Sequence, residues 1–173
     1  MNLSNDSSCS GDLASRIFKE KKLSENIARI YAAEITLALE ALHQQDIIYR
    51  DLKPANVVLD QEGHALLTDF GLSKQGIRDG TTTASFCGSI AYLAPEMLKR
   101  TGHNKMVDWY LLGVVIYEML MGIPPYYNPD REEMFANIRT GSNFRLKGAS
   151  KEAESLIKMV GLDIKKMLKI VSC

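Results

Sequence analysis

Residues 107–121 (VDWYLLGVVIYEMLM) are apolar on nearly every face of a helix. A surface helix shows one apolar stripe and one polar side. The near absence of a polar side here predicts a helix buried at the centre of the fold. Other elements must then wrap around it. Gly122 and the Pro124-Pro125 pair end it. Its longest purely apolar run, 109–117, is nine residues, too short to span a bilayer. With 173 residues, 46% of them hydrophobic and 24% charged, the chain can bury such a core and is neither disordered nor low-complexity.

The segments around the central helix read in order. Residues 1–10 are Ser/Asn/Asp-rich and predict a loop or frayed end. A short helix fits 12–19. Ser24 is a candidate N-cap, and Ile27, Ile30, Tyr31, Ile35, Ala38, Leu39 and Leu42 recur behind it at helical spacing. They predict an amphipathic helix over 24–43. Val57-Val58-Leu59 and Ala65-Leu66-Leu67 flank Asp60-Gln61-Glu62-Gly63, a β-hairpin pattern. Gly, Ser and Thr dominate 71–91, a long loop of the kind that carries function. Further helices fit 130–139 and 151–162. One small hairpin cannot sustain an α/β sheet, so the expected class is mostly α (α+β).

Charge and cysteine content narrow the setting. Lys plus Arg equals Asp plus Glu at 21 each, so no basic field favours nucleic acid or an anionic membrane. Cys9, Cys87 and Cys173 are scattered, odd in number, and fit neither a disulfide framework nor a zinc spacing. The first residues lack the basic and apolar regions of a secretory signal. An intracellular, cytoplasmic, reducing setting is the expectation, with no membrane span and no nucleic-acid partner.

The residues that carry chemistry cluster between the first long helix and the central one. Tyr49-Arg50-Asp51-Leu52-Lys53-Pro54-Ala55-Asn56 precedes the hairpin, Asp69-Phe70-Gly71 follows it, and Ala94-Pro95-Glu96 closes the long loop. Ordered in this way, the motifs resemble those of the eukaryotic serine/threonine protein kinases. Tyr49 in place of His, FCGS at 86–89, YLAPE at 92–96 and VDW at 107–109 are similar to the AGC group. The resemblance covers about 11–168 and implies a domain layout. A polar N-terminal segment, 1–10, precedes a partial kinase domain, 11–173, which looks like the helical large lobe with an activation segment at 69–96. The small β-rich lobe is expected to be absent from this sequence, which holds no G-x-G-x-x-G loop, V-A-I-K lysine or partner glutamate.

The resemblance implies roles for individual residues. Phosphoryl transfer needs positioning and charge neutralisation more than covalent work. Asp51 would orient the substrate hydroxyl, and Lys53 would place a positive charge on the transferring group. Asp69 and Asn56 would offer oxygens to Mg²⁺, a hard cation, on ATP. Antiparallel strands between them would bring both ligands to one end of the hairpin. Val58 would face the adenine, though an ordinary core valine reads equally well. Ser85 stands where the group carries its phosphorylated loop residue, with Arg50 and Lys74 as phosphate partners. An upstream activating kinase would act there, unless Ser85 is simply a solvated serine. Cys87 is a redox handle or a bystander thiol. Asp108 would accept backbone N–H bonds from the catalytic loop. Ser89 keeps a hydroxyl that could bond Asp51. Glu118, and also Asp12, matches an acidic position that meets a basic residue of the protein substrate; a helix-surface charge is the alternative for both.

Some positions depart from the pattern. Ile90 and Ala91 replace Pro and Glu of the family's peptide platform, and Ala55 replaces an acidic residue. Met167 stands where an arginine would pair with Glu96. Two function classes follow. One is an ATP-dependent serine/threonine kinase, here a truncated catalytic domain whose own transfer rate is expected to be negligible. The other is an inactive pseudokinase-type binding module or an incomplete gene product.

Overall fold

The computed structural model describes residues 9–78, 80–84, 88–99, 102–141 and 146–160. The apolar segment forms helix α4, Met106–Met121, buried along almost all of its length. Gly122 ends it in the left-handed conformation at φ 84°. Helix α2, Glu25–Gln44, packs against α4 through Ala28, Tyr31, Ala32, Ile35 and Leu39, a spacing that puts these side chains on one face. The Ser24 hydroxyl caps it, accepting from the Ile27 N–H at 3.5 Å. Helix α6 (Lys151–Met159) packs against α4, α3 (Pro95–Lys99) packs against α5 (Arg131–Thr140), and α1 (Leu13–Glu20) precedes α2 in the chain. Strands are few and short, so the chain is mostly α with a small β part.

The hairpin forms as expected from β3 (Val57–Asp60) and β4 (Ala65–Leu67), antiparallel, with Val57 opposite Leu67 and Leu59 opposite Ala65. Its turn is held by Asp60, whose Oδ1 accepts from Glu62 N at 2.9 Å and His64 N at 2.8 Å. Glu34 of α2 accepts from Ala65 N at 2.7 Å and ties the hairpin to the helices.

Two features differ from the sequence reading. The end of the polar segment is not a loop: Cys9–Asp12 forms strand β1 on the other edge of β3, giving the order β1-β3-β4. Ladder pairing uses only backbone groups, so a run of small polar residues can join an open edge without any apolar alternation to announce it. The register shifts between Cys9 and Gly11, where Gly11 takes φ 120°. The long loop is also pinned inside its length. Strand β5 (Lys74–Gln75) pairs with β2 (Ile47–Ile48), and Thr83 bridges His103. A 3₁₀ turn follows at Ile90–Tyr92. The end expected for the last helix, beyond Val160, lies outside the described residues, as does Cys173.

Candidate active site

Residues 49–56 link β2 to β3 in a loop with almost no regular structure, so something must fix its shape. Asp108, in the first turn of α4 and fully buried, does so. Its carboxylate accepts from Tyr49 N at 2.9 Å and Arg50 N at 2.8 Å. His43, in the last turn of α2, contacts Oδ2 through Nε2 at 2.7 Å. The role implied for Asp108 is therefore visible in its bonds, while His43 had no sequence signal beyond a lone histidine at a helix end. Arg50 takes φ 68°, a conformation costly for a side chain with a Cβ. The two adjacent N–H groups bound to one carboxylate hold it there.

Asp51 is buried beside this anchor. Its Oδ2 accepts from Lys53 Nζ at 2.8 Å and from Asn56 Nδ2 at 2.9 Å. Asn56 Nδ2 also reaches the Asp51 carbonyl at 2.9 Å. Both of these bonds run through Nδ2, and the amide oxygen takes part in neither. Lys53 Nζ reaches the Ser89 hydroxyl at 3.2 Å. Ser89 was expected to bond Asp51; it meets Lys53, which links the two. Asp51 and Ser89, 38 residues apart, are thus joined through one ammonium.

The hairpin brings the second candidate ligand round. Thr68 donates to the Asn56 carbonyl from its N–H at 3.0 Å and from its hydroxyl at 3.1 Å. Asp69 follows directly, exposed, at φ 53°, with Oδ1 accepting from Gly71 N at 3.1 Å. Tyr49 braces the turn. Its hydroxyl donates to the Thr68 carbonyl and its ring meets Phe70 edge-on at 5.4 Å. Burial pushes the Tyr49 pKa up, so the hydroxyl stays a donor. One carboxylate and one amide oxygen at the same hairpin end suit Mg²⁺, which binds through one or two protein ligands and completes its shell with phosphates and water. Among the described residues no cluster of three His, Cys, Asp or Glu offers a denser metal site. Val58 lies half-buried on β3, paired with Leu66 on one side and Asp12 on the other.

The remaining candidates fall into place around the loop. Ser85 and Cys87 lie outside the described residues. Arg50 donates from Nε to the Leu72 carbonyl at 2.7 Å, and Lys74 donates to the Thr83 hydroxyl at 2.7 Å. Glu118 is buried near the end of α4 and accepts from the Tyr92 hydroxyl at 2.7 Å. Burial raises the pKa of both groups. Tyr92 was not singled out from sequence, although it stands in the YLAPE run. Asp12 caps α1, its Oδ1 accepting from Ser15 N at 2.6 Å. Glu96 is partly buried in α3, and among the described residues no cation forms an ion pair with it. Met167 lies outside the described residues.

Comparison with known proteins agrees with this geometry. The protein kinase domain family matches residues 1–171. Serine/threonine-protein kinase Sgk1 of Rattus norvegicus is 46% identical over 148 residues, covering 86% of this chain and 34% of its own. The sgk-1 kinase of Caenorhabditis elegans is 50% identical over 128 residues, covering 74% of this chain and 28% of its own. The RAC family serine/threonine-protein kinase homolog of Dictyostelium discoideum is 51% identical over 129 residues, covering 74% and 29%. The chain thus spans about a third or less of the length of these curated relatives. An Asp51–Lys53–Asn56 constellation anchored on a buried aspartate, Asp69 across the hairpin, and a family match over nearly the whole length lead to one assignment: the chain belongs to the protein kinase family, in its AGC-like serine/threonine group.

Proposed function

We propose that this site serves Mg²⁺-ATP-dependent phosphoryl transfer to serine or threonine hydroxyls of a protein substrate. The observation that carries the reading is the Asp51 carboxylate, held by Lys53 and Asn56 on a loop that Asp108 fixes. Asp51 accepts the hydrogen bond of the incoming hydroxyl and directs its oxygen at the γ-phosphorus. The new O–P bond forms as the bond from that phosphorus to the β–γ bridging oxygen breaks, and ADP leaves. The hydroxyl proton passes to Asp51 or on to the transferred phosphate. Lys53 sets a positive charge against the oxygens of the moving group. Asn56 and Asp69 would hold Mg²⁺, which would supply charge neutralisation for the phosphates. Val58 lies beneath the adenine. Ser89 and Glu118 serve the peptide side, Glu118 toward a basic residue. An upstream kinase phosphorylates Ser85, and Arg50 and Lys74 receive that phosphate. ATP as donor implies an intracellular setting.

Nucleotide binding tests the site directly. Millimolar Mg²⁺-ADP raises the midpoint of thermal unfolding, because a ligand that binds only the folded state stabilises it. Asp69→Ala removes the rise and Glu118→Ala keeps it. A folded wild-type chain with no Mg²⁺-dependent rise would defeat the reading. Transfer to a basic serine peptide is the second readout: any rate the chain shows vanishes in Asp51→Asn, and a surviving rate would assign the chemistry elsewhere.

A further inference from the structure

Helix α1 is seated by Leu13 and Ile17, both buried. The next residue, Phe18, turns about 100° further around the helix and is 78% exposed. Lys19, Lys21 and Lys22 follow, all exposed, and among the described residues none is in an ion pair. The one acid among them, Glu20, is taken by Arg16 at 2.9 Å. Lys21 Nζ stands 4.7 Å from the centre of the Phe18 ring, a cation over an aromatic face. Lys21 also holds φ 68°, where glycine is the unstrained residue, so its side chain is carried at a backbone cost. Gly122 lies against the Lys21 carbonyl, and Ile123, just beyond it, is 57% exposed. Two apolar side chains and three ammonium groups thus share the surface where the ends of α1 and α4 meet.

A lone exposed apolar side chain is ordinary, but a phenyl ring rimmed by uncompensated cations is a specific combination. The zero net charge of the chain averages over its whole surface, whereas screening lets a partner feel only the local excess. That excess calls for an anionic occupant. A ring this exposed projects without walls of its own, so the occupant must yield to it. A bilayer interface does so: it seats aromatic rings at the level of the headgroups while lysine stems lie along the apolar layer and keep their ammonium groups at the surface. We propose that this patch docks the chain on an anionic membrane surface. Phe18 and Ile123 enter the headgroup layer, and Lys19, Lys21 and Lys22 meet the anionic lipid head groups. The contact is peripheral, for no described helix is long and apolar enough to cross a membrane. With three lysines and two apolar side chains it is weak, reversible and salt-dependent. Helix α1 is about 12 Å long, and that length holds the contact away from β1 and the hairpin that carries Asn56 and Asp69.

Flotation of the whole 173-residue chain with large vesicles measures the contact. One set of vesicles is phosphatidylcholine, and the other also holds about 30% phosphatidylserine. The expected result is binding to the second set alone, lost at about 1 M salt, where the Debye length falls to about 3 Å. Lys19→Gln, Lys21→Gln and Lys22→Gln each lower the partition coefficient about fivefold, and together about a hundredfold. These side chains are exposed, so the thermal transition of the free chain stays in place. Phe18→Trp supplies a readout that charge alone does not move. Its emission shifts to the blue on anionic vesicles and is quenched by brominated acyl chains, once the wild-type signal of Trp109 is subtracted. Equal binding to neutral and anionic vesicles, or binding that survives the triple change, overturns the proposal. A bound Phe18→Trp chain with unshifted emission overturns it as well, because adsorption by charge would then suffice. Absence of vesicle binding together with capture by polyglutamate overturns the membrane reading and assigns the patch to an acidic protein.

Discussion

Among the described residues Glu96 has no cation in an ion pair with it. Burial pushes its pKa up, with its own backbone N–H and the Lys99 charge opposing. A carboxyl whose folded pKa is raised binds a proton more readily in the native state than in the unfolded one. Its stabilising share is then present at low pH and is lost as pH rises through the folded value. At neutral pH the group is a burden, and removing its charge relieves it. Glu96→Gln is therefore expected to leave stability at pH 7 unchanged or to raise it by on the order of 1 kcal/mol. It also removes part of the gain that wild type shows between pH 7 and pH 5. Urea unfolding at both pH values checks this; a loss of stability at pH 7 would reveal a cation on Glu96. Asp51, Lys53, Asn56 and Asp69 could be singled out from sequence because the motif that carries them is residue type at fixed spacing along a short segment. The Ser89–Lys53 bond, the Tyr92–Glu118 bond and the His43–Asp108 contact span 36, 26 and 65 residues. Pairings of that separation are set by packing, which local pattern does not encode.

The elements themselves were legible wherever side-chain periodicity is their cause. Helices α2 and α4 announce themselves by an apolar stripe and by an apolar whole, and β3 and β4 by apolar runs around a turn. Strand β1 and the pairing of β2 with β5 are made by backbone groups alone, so nothing in their side chains marks them. The junction after α4 shows how one residue joins elements. Gly122 stands at φ 84°, its N–H donating to the Glu118 carbonyl at 2.8 Å. Leu23 N donates to the Met119 carbonyl at 2.7 Å, which draws the chain after α1 over this helix end. A Cβ at position 122 would run into the carbonyl oxygen of Lys21, a backbone atom that cannot swing aside. Gly122→Ala adds the penalty of a left-handed non-glycine residue, about 1 kcal/mol, to that collision. The expected cost is on the order of 2–4 kcal/mol. Chemical denaturation measures it, and a cost under about 1 kcal/mol would mean that the junction shifts freely.

At the scale of the molecule, one carboxylate joins the core helix, the first long helix and the catalytic loop. Asp108 belongs to α4, His43 to α2, and Tyr49 and Arg50 to the loop that carries Asp51. The position of Asp51 is therefore set from the centre of the fold. Substituting Asp108→Ala leaves two backbone N–H groups unpaired in a buried place and frees Arg50 from what holds its positive φ. Breaking a buried, hydrogen-bonded charge costs about 3–5 kcal/mol, a large part of the roughly 5–15 kcal/mol that holds a domain together. Asp108→Asn is the gentler variant: its amide oxygen still accepts, but its NH₂ faces one N–H donor where a carboxylate oxygen stood. The expected outcome is a folded protein with a lowered unfolding midpoint. The rise on adding Mg²⁺-ADP should shrink more than the midpoint does, because the loop that presents Asn56 loses its shape first. Hydrogen exchange of Tyr49 and Arg50 reports that loop directly and should speed up before the α4 amides do. If Asp108→Asn lowers the midpoint yet leaves the nucleotide-induced rise and those two amides as in wild type, the loop is held by its own bonds. Asn56 to Asp51 and Tyr49 to Thr68 would then be sufficient, and the core would support the site without shaping it.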